Sequence, residues 1–341
     1  MAGSYFVLKS EQRTRNAFFA GLCFALAFVF RYQTLAFTGT LGLVLLFTRK
    51  NKELAMVAAG FLVAAILVQG SADTFAWGYP FASFIEYVRY NASHPEDYTT
   101  GPWYNYILLV SGVLIPPVSF FLLFGFLRNW KKTLLLFLPV MVFFVLHSSF
   151  PNKQERFILP IVPLMIVLSV VGWEEYVKGS AFWLKHRTAL RSMWIWYWIF
   201  NSALLILFST YYGKKSRVES MYFLYDKQVV ALYQNGGKDG ISQPPFFYSG
   251  KYPVLMADIS NDQQLHWVRS QYSVSPVRAN YILFYGSDDS EQRIHHIETE
   301  LEFKMVLEKR FDPSLLDYVF YRLNPRHNKN ESIFVYRAVY Q

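Results

Sequence analysis

Seven apolar runs crowd the first two-thirds of the chain, at residues 17–30, 34–47, 54–70, 103–127, 133–150, 157–173 and 193–212. A helical membrane crossing takes about 20 mostly apolar residues, with a range of about 17–25, so each run is a candidate crossing. The first two runs are short and separated by Arg31-Tyr32-Gln33, so they also suit a re-entrant pair buried among other helices. The fourth is interrupted by Pro116-Pro117. Composition agrees: of 341 residues, 53% are hydrophobic, 19% aromatic and only 17% charged, against about 25% charged in soluble domains. Disorder is excluded by the aromatic content, and a disulfide scaffold by the single cysteine, Cys23.

The net charge is +9, and residues 1–213 hold 17 Lys and Arg against 9 Asp and Glu. These charges flank the apolar runs, which points to membrane topology and away from a nucleic-acid partner. Four basic clusters (Lys9/Arg13/Arg15, Arg49/Lys50/Lys52, Arg128/Lys131/Lys132 and Lys178/Lys185/Arg187/Arg191) fall on one side if every run crosses. The positive-inside rule then puts the N-terminus in the cytoplasm and the C-terminal part outside. Residues 1–10 carry no apolar core of a signal peptide.

The loops assigned to the outer side are rich in aromatic residues, among them Trp77, Tyr79, Phe84, Tyr87, Tyr90, Trp103 and Tyr104. One reading is anchoring in the headgroup layer; the other is a surface for sugar or lipid, with Trp103 and Tyr104 as candidate substrate-binding residues. Residues 82–91 suit a short helix in the interface plane. Beyond residue 213 the pattern changes. Strands are expected at 244–248, 281–285, 303–309 and 333–339, and helices at 261–270, 290–301 and 313–323, which makes a small α/β domain. No Gly-rich phosphate loop precedes a helix, and His295, His296 and His327 have no metal-ligand spacing. The expected fold is mostly α: a polytopic helix bundle of about seven membrane segments over residues 1–212, followed by a soluble α/β domain over 213–341.

The loop between the fifth and sixth runs, residues 150–160, sets Lys153, Glu155 and Arg156 at the mouth of two apolar segments. Charged groups at membrane depth are costly and face a cavity or one another. The alternatives are that Lys153 and Arg156 snorkel to the interface and that Glu155 pairs with Arg156. Arg31 lies within a long apolar stretch on the same side. Together Arg31, Lys153 and Arg156 are expected to hold an anion, for which a lipid phosphate is the natural candidate because the arginine fork binds phosphate bidentately.

The run from Asn152 to Phe157, with Pro160 and Pro163, resembles the His-Lys-Glu-x-Arg-Phe signature of the Alg9-like or PIG-B-like mannosyltransferases of the GT-C superfamily (glycosyltransferase family 22). Upstream, Asp73-Thr74-Phe75-Ala76-Trp77-Gly78 is similar to the family's Asp-Ser-x-x-Tyr-Gly element. The stretch from Tyr98 to Tyr106 is similar to Tyr-Gly-x-x-Pro-Trp-x-x-Tyr, and Arg31-Tyr32-Gln33-Thr34 stands in the place of Arg-Pro-Thr. The resemblance covers residues 20 to 170. It implies a multi-pass glycosyltransferase that moves a hexose, mannose in most members, from a polyprenyl-phosphate donor to a lipid-linked or surface glycan, with inversion. Lys153, Arg156 and Arg31 would then hold the departing phosphate, with no metal and no other cofactor, and Asn152 and Glu155 would contact substrate.

Three departures stand out. Asn152 replaces the family histidine, Gln154 replaces a carboxylate, and Tyr32 replaces a proline. The family's acidic motif in an early outer loop has no counterpart among these residues, as expected of an N-terminally truncated fragment or of a chain whose missing part is a separate polypeptide; Asp73 is left as the candidate catalytic base, its other readings being a cap for the following helix or a partner for a cation. The alternative function is a non-catalytic membrane subunit or pseudoenzyme that binds a lipid-linked glycan. A transporter is disfavoured because no paired helical repeat is visible. The low cysteine content leans towards a bacterial cytoplasmic membrane; the sequons at Asn91 and Asn330 keep an endoplasmic reticulum membrane open.

Overall fold

In the computed structural model the described residues are 1–94, 100–211, 213–225, 227–234, 244–250, 255–286, 290–325, 328 and 331–340. The chain forms two compact units, Met1–Asn201 and Ser202–Gln341.

The first unit is helical. A short α1 (Ala2–Leu8), not foreseen in the sequence, precedes α2 (Arg15–Phe30) and α3 (Thr34–Phe47). Next, α4 (Asn51–Ala64), one π-type turn (Ala65–Gly70) and α5 (Ser71–Trp77) run together as a 27-residue stretch. The helix α6 (Ala82–Ser93) follows, then α7 (Asn105–Val113), α8 (Val118–Arg128), α9 (Leu134–Ser149), α10 (Val162–Gly179), α11 (Ala181–Lys185) and α12 (Arg187–Thr210). The expected single segment at 103–127 is instead two helices, α7 and α8, meeting at 114°. The Pro116-Pro117 pair explains this, because two consecutive residues lack an amide donor and clash with the preceding turn.

By length and composition, two stretches among the described residues are able to cross a membrane, Asn51–Trp77 and the one beginning at Arg187, or three if the bent pair counts as one. α2, α3 and α9 are apolar but have only 14 to 16 residues. The seven apolar runs thus resolve into helical elements of unequal length, the fourth into two.

Small residues let the helices close on each other, as membrane-type packing requires. A Cβ at Gly60 of α4 would lie 2.1 Å from the Phe18 carbonyl oxygen of α2, and one at Gly172 of α10 would lie 2.0 Å from the Gly125 oxygen of α8. Around these crossings Phe24, Leu41, Tyr106, Val118, Phe143 and Leu168 belong to one buried cluster.

The second unit holds a five-stranded mixed sheet in the order β2-β1-β3-β5-β4. Its strands are β1 (Val230–Gln234), β2 (Leu255–Asp258), β3 (Tyr281–Tyr285), β4 (Phe303–Phe311) and β5 (Ile333–Tyr340), with helices α13 (Lys215–Phe223), α14 (Asp262–Val274), α15 (Ser290–Leu301) and α16 (Leu315–Leu323). β1 runs parallel to β2 and β3, pairing Leu232 with Ala257 and Ile282. β5 runs antiparallel to β3 and β4. The strand expected at 244–248 is a correction: Pro244 and Pro245 offer no ladder donors, and the chain makes a 3₁₀ turn over Phe246–Ser249 that ends at Gly250 with φ 72°.

Candidate functional site

The site begins at the elbow between α2 and α3. α2 stops at Arg31, where the backbone turns extended, and Tyr32 and Gln33 carry the chain into α3. α6 lies beside this elbow. Its own N-cap residue, Phe81, makes no side-chain cap, so the first helical amides need an outside acceptor. Asp73 of α5 supplies it. Its carboxylate accepts from the Ser83 amide at 3.0 Å, the Ser83 hydroxyl at 2.6 Å and Gln69 Nε2 at 2.9 Å. The Tyr32 hydroxyl shares hydrogen bonds with Ser83 and Gln69. A carboxylate at a helix N-terminus also gains from the helix dipole. Asp73 is 4% exposed, and the π-type turn just before it carries Gln69 into the same cluster. Of the two sequence readings of Asp73, the geometry matches the cap.

α6 then packs its ring-bearing face on the elbow. Phe84 stacks edge-on to Tyr32 at 5.3 Å and to Phe28 at 5.1 Å, and Tyr87 sits 5.2 Å from Tyr32. The Tyr87 hydroxyl is bonded to Gln33 and feels the Arg31 guanidinium; burial, the larger effect, still pushes it above the usual phenol range.

The third wall is the loop after α9. A bridge between Thr100 and Asn152, with the Gly101 amide donating to the Pro151 carbonyl at 3.1 Å, fastens it to the chain before α7. The Tyr106 hydroxyl donates to the Gln154 carbonyl at 3.0 Å. Lys153 turns inward. Its ammonium donates to the carbonyls of His147 at 3.1 Å and Ser148 at 2.9 Å, and to that of Phe150, closing the C-terminal end of α9. It is 6% exposed and lies over the Tyr106 ring. Burial pulls its pKa below the ordinary lysine value. A cation on the last carbonyls of a helix is a C-terminal cap.

The structure therefore brings Arg31 and Arg156 together and leaves Lys153 apart. Arg31 Nη1 donates to the Arg156 carbonyl, and both arginines line one pocket of about 390 Å³ with Gln33, Tyr87 and Phe157. Among the described residues neither guanidinium pairs with a carboxylate. Glu155 is exposed, and Gln154 Nε2 rests 3.4 Å from the Asn152 amide oxygen. Trp103 and Tyr104 are exposed, and their rings meet edge-on at 5.8 Å. The Tyr98 and Thr99 part of the proline-tryptophan element lies outside the described residues.

Two further pockets meet this one. A mostly apolar groove of about 500 Å³ runs between α3, α6 and α9, lined by Leu35, Phe84, Val88, Leu146, Phe150 and Phe157 and touching Asn152. On the other side of α6 an aromatic pocket of about 530 Å³ is lined by Trp77, Tyr79, Glu86, Tyr87, Tyr90 and Asn91. Tyr87 lines all three. Sequence reasoning counted Tyr87 only as one aromatic among many; its place in the i, i+3 series Phe84, Tyr87, Tyr90 was the available signal. Among the described residues no group of three His, Cys, Asp or Glu is arranged to hold a metal ion.

The model of the Alg9-like mannosyltransferase family matches residues 1–238. The chain is 26% identical over 213 residues to a Schizosaccharomyces pombe protein described as a probable Dol-P-Man:Man(7)GlcNAc(2)-PP-Dol alpha-1,6-mannosyltransferase, covering 59% of this chain and 37% of that protein. It is 27% identical over 156 residues to GPI mannosyltransferase 3 of Saccharomyces cerevisiae, covering 42% and 25%. With the alpha-1,2-mannosyltransferase ALG9 of Mus musculus it shares 23% identity over 240 residues, covering 62% and 38%. The chain thus spans between a quarter and two fifths of the length of these curated relatives. No solved structure matches it.

Proposed function

The chain belongs to the Alg9-like mannosyltransferase family, and from that premise we propose that its groove serves mannosyl transfer from a polyprenyl-phosphate donor to a lipid-linked glycan. The observation that carries this is the meeting of three chemically distinct pockets at Tyr87. In this reading the Arg31 and Arg156 guanidinium groups hold the donor phosphate, the prenyl chain lies in the apolar groove, and the acceptor glycan stacks on the rings of the aromatic pocket. Sugar faces are apolar and their edges polar, which suits Trp77 and Tyr90 as platforms beside Glu86 and Asn91.

The reaction makes a bond from the acceptor oxygen to the mannose anomeric carbon and breaks the bond from that carbon to the phosphate oxygen, inverting the centre. The electron pair leaves with the phosphate, whose charge two fixed guanidinium groups stabilise, and the acceptor hydroxyl's proton passes to the released phosphate or to water. Lys153 keeps the loop in place by capping α9, and Asp73 keeps α6 against the elbow; both are positioning residues here. The relatives all come from eukaryotes, which supports an internal membrane over a bacterial envelope, with the groove on its lumenal side.

A second reading has its own support. Among the described residues beside the groove, Asp73 is saturated with hydrogen bonds and Glu86 is paired with Arg89 at 3.2 Å. Asp73 is committed to the α6 cap and Glu86 is exposed in a weak pair, so among the described residues no buried, unpaired carboxylate faces the groove, which suits a chain that binds the lipid-linked sugar without transferring it. Incubating membranes that hold the chain with radiolabelled polyprenyl-phosphate mannose and a lipid-linked acceptor separates the two. Transfer that falls at least a hundredfold in Arg156→Ala supports the enzyme; saturable donor binding with no transfer supports the second reading; neither binding nor transfer ends both.

A further inference from the structure

At the far end of α10 from Arg156 the same unit carries a second polar site that the groove does not use. A pocket of about 360 Å³ lies between Lys178 of the last α10 turn, Trp183 of α11, and Arg187, Leu190, Arg191 and Trp194 of α12. Pockets that take small molecules run from about 300 to 1,000 Å³. Its floor is rigid: the Trp183 indole packs edge-on against Trp173 at 5.4 Å and Phe121 at 5.6 Å, and its amide faces the Ser180 hydroxyl. Leu190 and Trp194 lean on the buried cluster of the helical unit. Its rim is cationic. Lys178 is 3.4 Å from Glu174, an exposed pair of little strength, and among the described residues Arg187 and Arg191 have no ion-pair partner.

We propose that this pocket binds an anionic phospholipid, with the phosphate on Arg187, Arg191 and Lys178 and an acyl chain along the indoles. A free anion needs no apolar floor and an uncharged lipid needs no three cations; the two features together fit an acidic amphiphile, and basic pockets between membrane helices recognise such headgroups. α10 has 18 residues, about 27 Å of helix at 1.5 Å per residue, close to a hydrocarbon thickness. The pocket and the Arg31–Arg156 groove thus lie at opposite ends of α10. Basic residues gather at the same end: Lys132 pairs with Glu175, and Arg128 lies 4.9 Å over the Tyr176 ring.

The test is native mass spectrometry of the full chain in detergent, with phosphatidylinositol or phosphatidylcholine of matched acyl chains. The wild type should retain phosphatidylinositol in preference. The double variant Arg187→Gln/Arg191→Gln should lose about 10- to 30-fold of that retention. Arg13→Gln/Arg15→Gln, equal in charge and outside the pocket, should keep it, and millimolar inorganic phosphate should not displace the lipid. Equal retention of the two lipids, equal loss in the control variant, or displacement by phosphate would each overturn the proposal. All four residues are exposed, and the readout does not depend on mannosyl transfer.

Discussion

Replacing Asp73 separates a cap from a base. In Asp73→Ala three donors lose their acceptor: the Ser83 amide, the Ser83 hydroxyl and Gln69 Nε2. Loss of a helix N-cap costs about 1 kcal/mol, and each buried donor left bare costs about 1–3 kcal/mol. The Ser83 amide is the lost cap and the hydroxyl turns elsewhere, so with Gln69 the sum is about 2–4 kcal/mol, borne locally by α6 because Asp73 is the outside acceptor for its first turn. Asp73→Asn behaves differently. Its amide oxygen takes the place that accepts from the Ser83 amide and Gln69, its NH₂ donates to the Ser83 hydroxyl, and Asn caps a helix about as well as Asp. The expected cost is under about 1 kcal/mol. Hydrogen exchange read on peptides covering α6 reports this directly: amides of 84–92 should exchange about a hundredfold faster in the alanine variant and within fivefold of wild type in the asparagine variant. Unchanged protection in Asp73→Ala would refute the capping argument. Abolished transfer in Asp73→Asn with full α6 protection would return Asp73 to the role of base, since an amide takes no proton.

Other consequences test the packing and the second unit. Gly172→Val places carbon atoms on the Gly125 carbonyl, where even a Cβ would sit at 2.0 Å, so the α8–α10 contact should be lost, at a cost above about 3 kcal/mol; the variant should elute as aggregate where Gly112→Ala, with open space around its Cβ, elutes as wild type. Asp317 accepts from the amides of Lys214, Lys215 and Ser314, starting both α13 and α16. Burial alone would raise its pKa, but these amides hold it below the usual carboxylate range. Its folded pKa being the lower one, the stabilisation is present above the unfolded value of about 3.9 and fades as pH falls through the folded value. Exchange protection of α13 and α16 should accordingly drop below about pH 4 in wild type, and Asp317→Ala should show that loss already at pH 7; a flat wild-type profile down to pH 2 would contradict the assignment.

Apolar patterning was enough to place α3, β3 and α15 at their observed ends. Each is a run whose period and flanking residues agree. β1 and β2 were not legible: five and four residues long, they carry too few turns of alternation to stand out, and parallel pairing of β1 with β3 and of β2 with β1 makes them strands. At 244–248 a short apolar run suggested a strand that the two prolines forbid. At the site, residue type was readable and direction was not. Arg31, Lys153 and Arg156 are equally cationic in the sequence, yet Lys153 follows the end of α9 closely enough to reach its free carbonyls, whereas Arg31 sits where α2 ends and Arg156 in the short turn facing it. Gln33 was not singled out and Tyr87 stood as one aromatic among many, because their roles come from an elbow and a crossing helix; only the i, i+3 series of Phe84, Tyr87 and Tyr90 hinted at the latter.

The most direct test of the central claim is photo-crosslinking of the full chain in membranes with a diazirine-bearing polyprenyl phosphate, mapped by peptide mass spectrometry. Two charge-assisted contacts of about 1.5–3 kcal/mol each predict label on α6 and on residues 146–157, falling at least tenfold in Arg31→Gln/Arg156→Gln. Label of undiminished strength in that double variant, or label confined to other helices, would contradict the claim that these two arginines hold the phosphate.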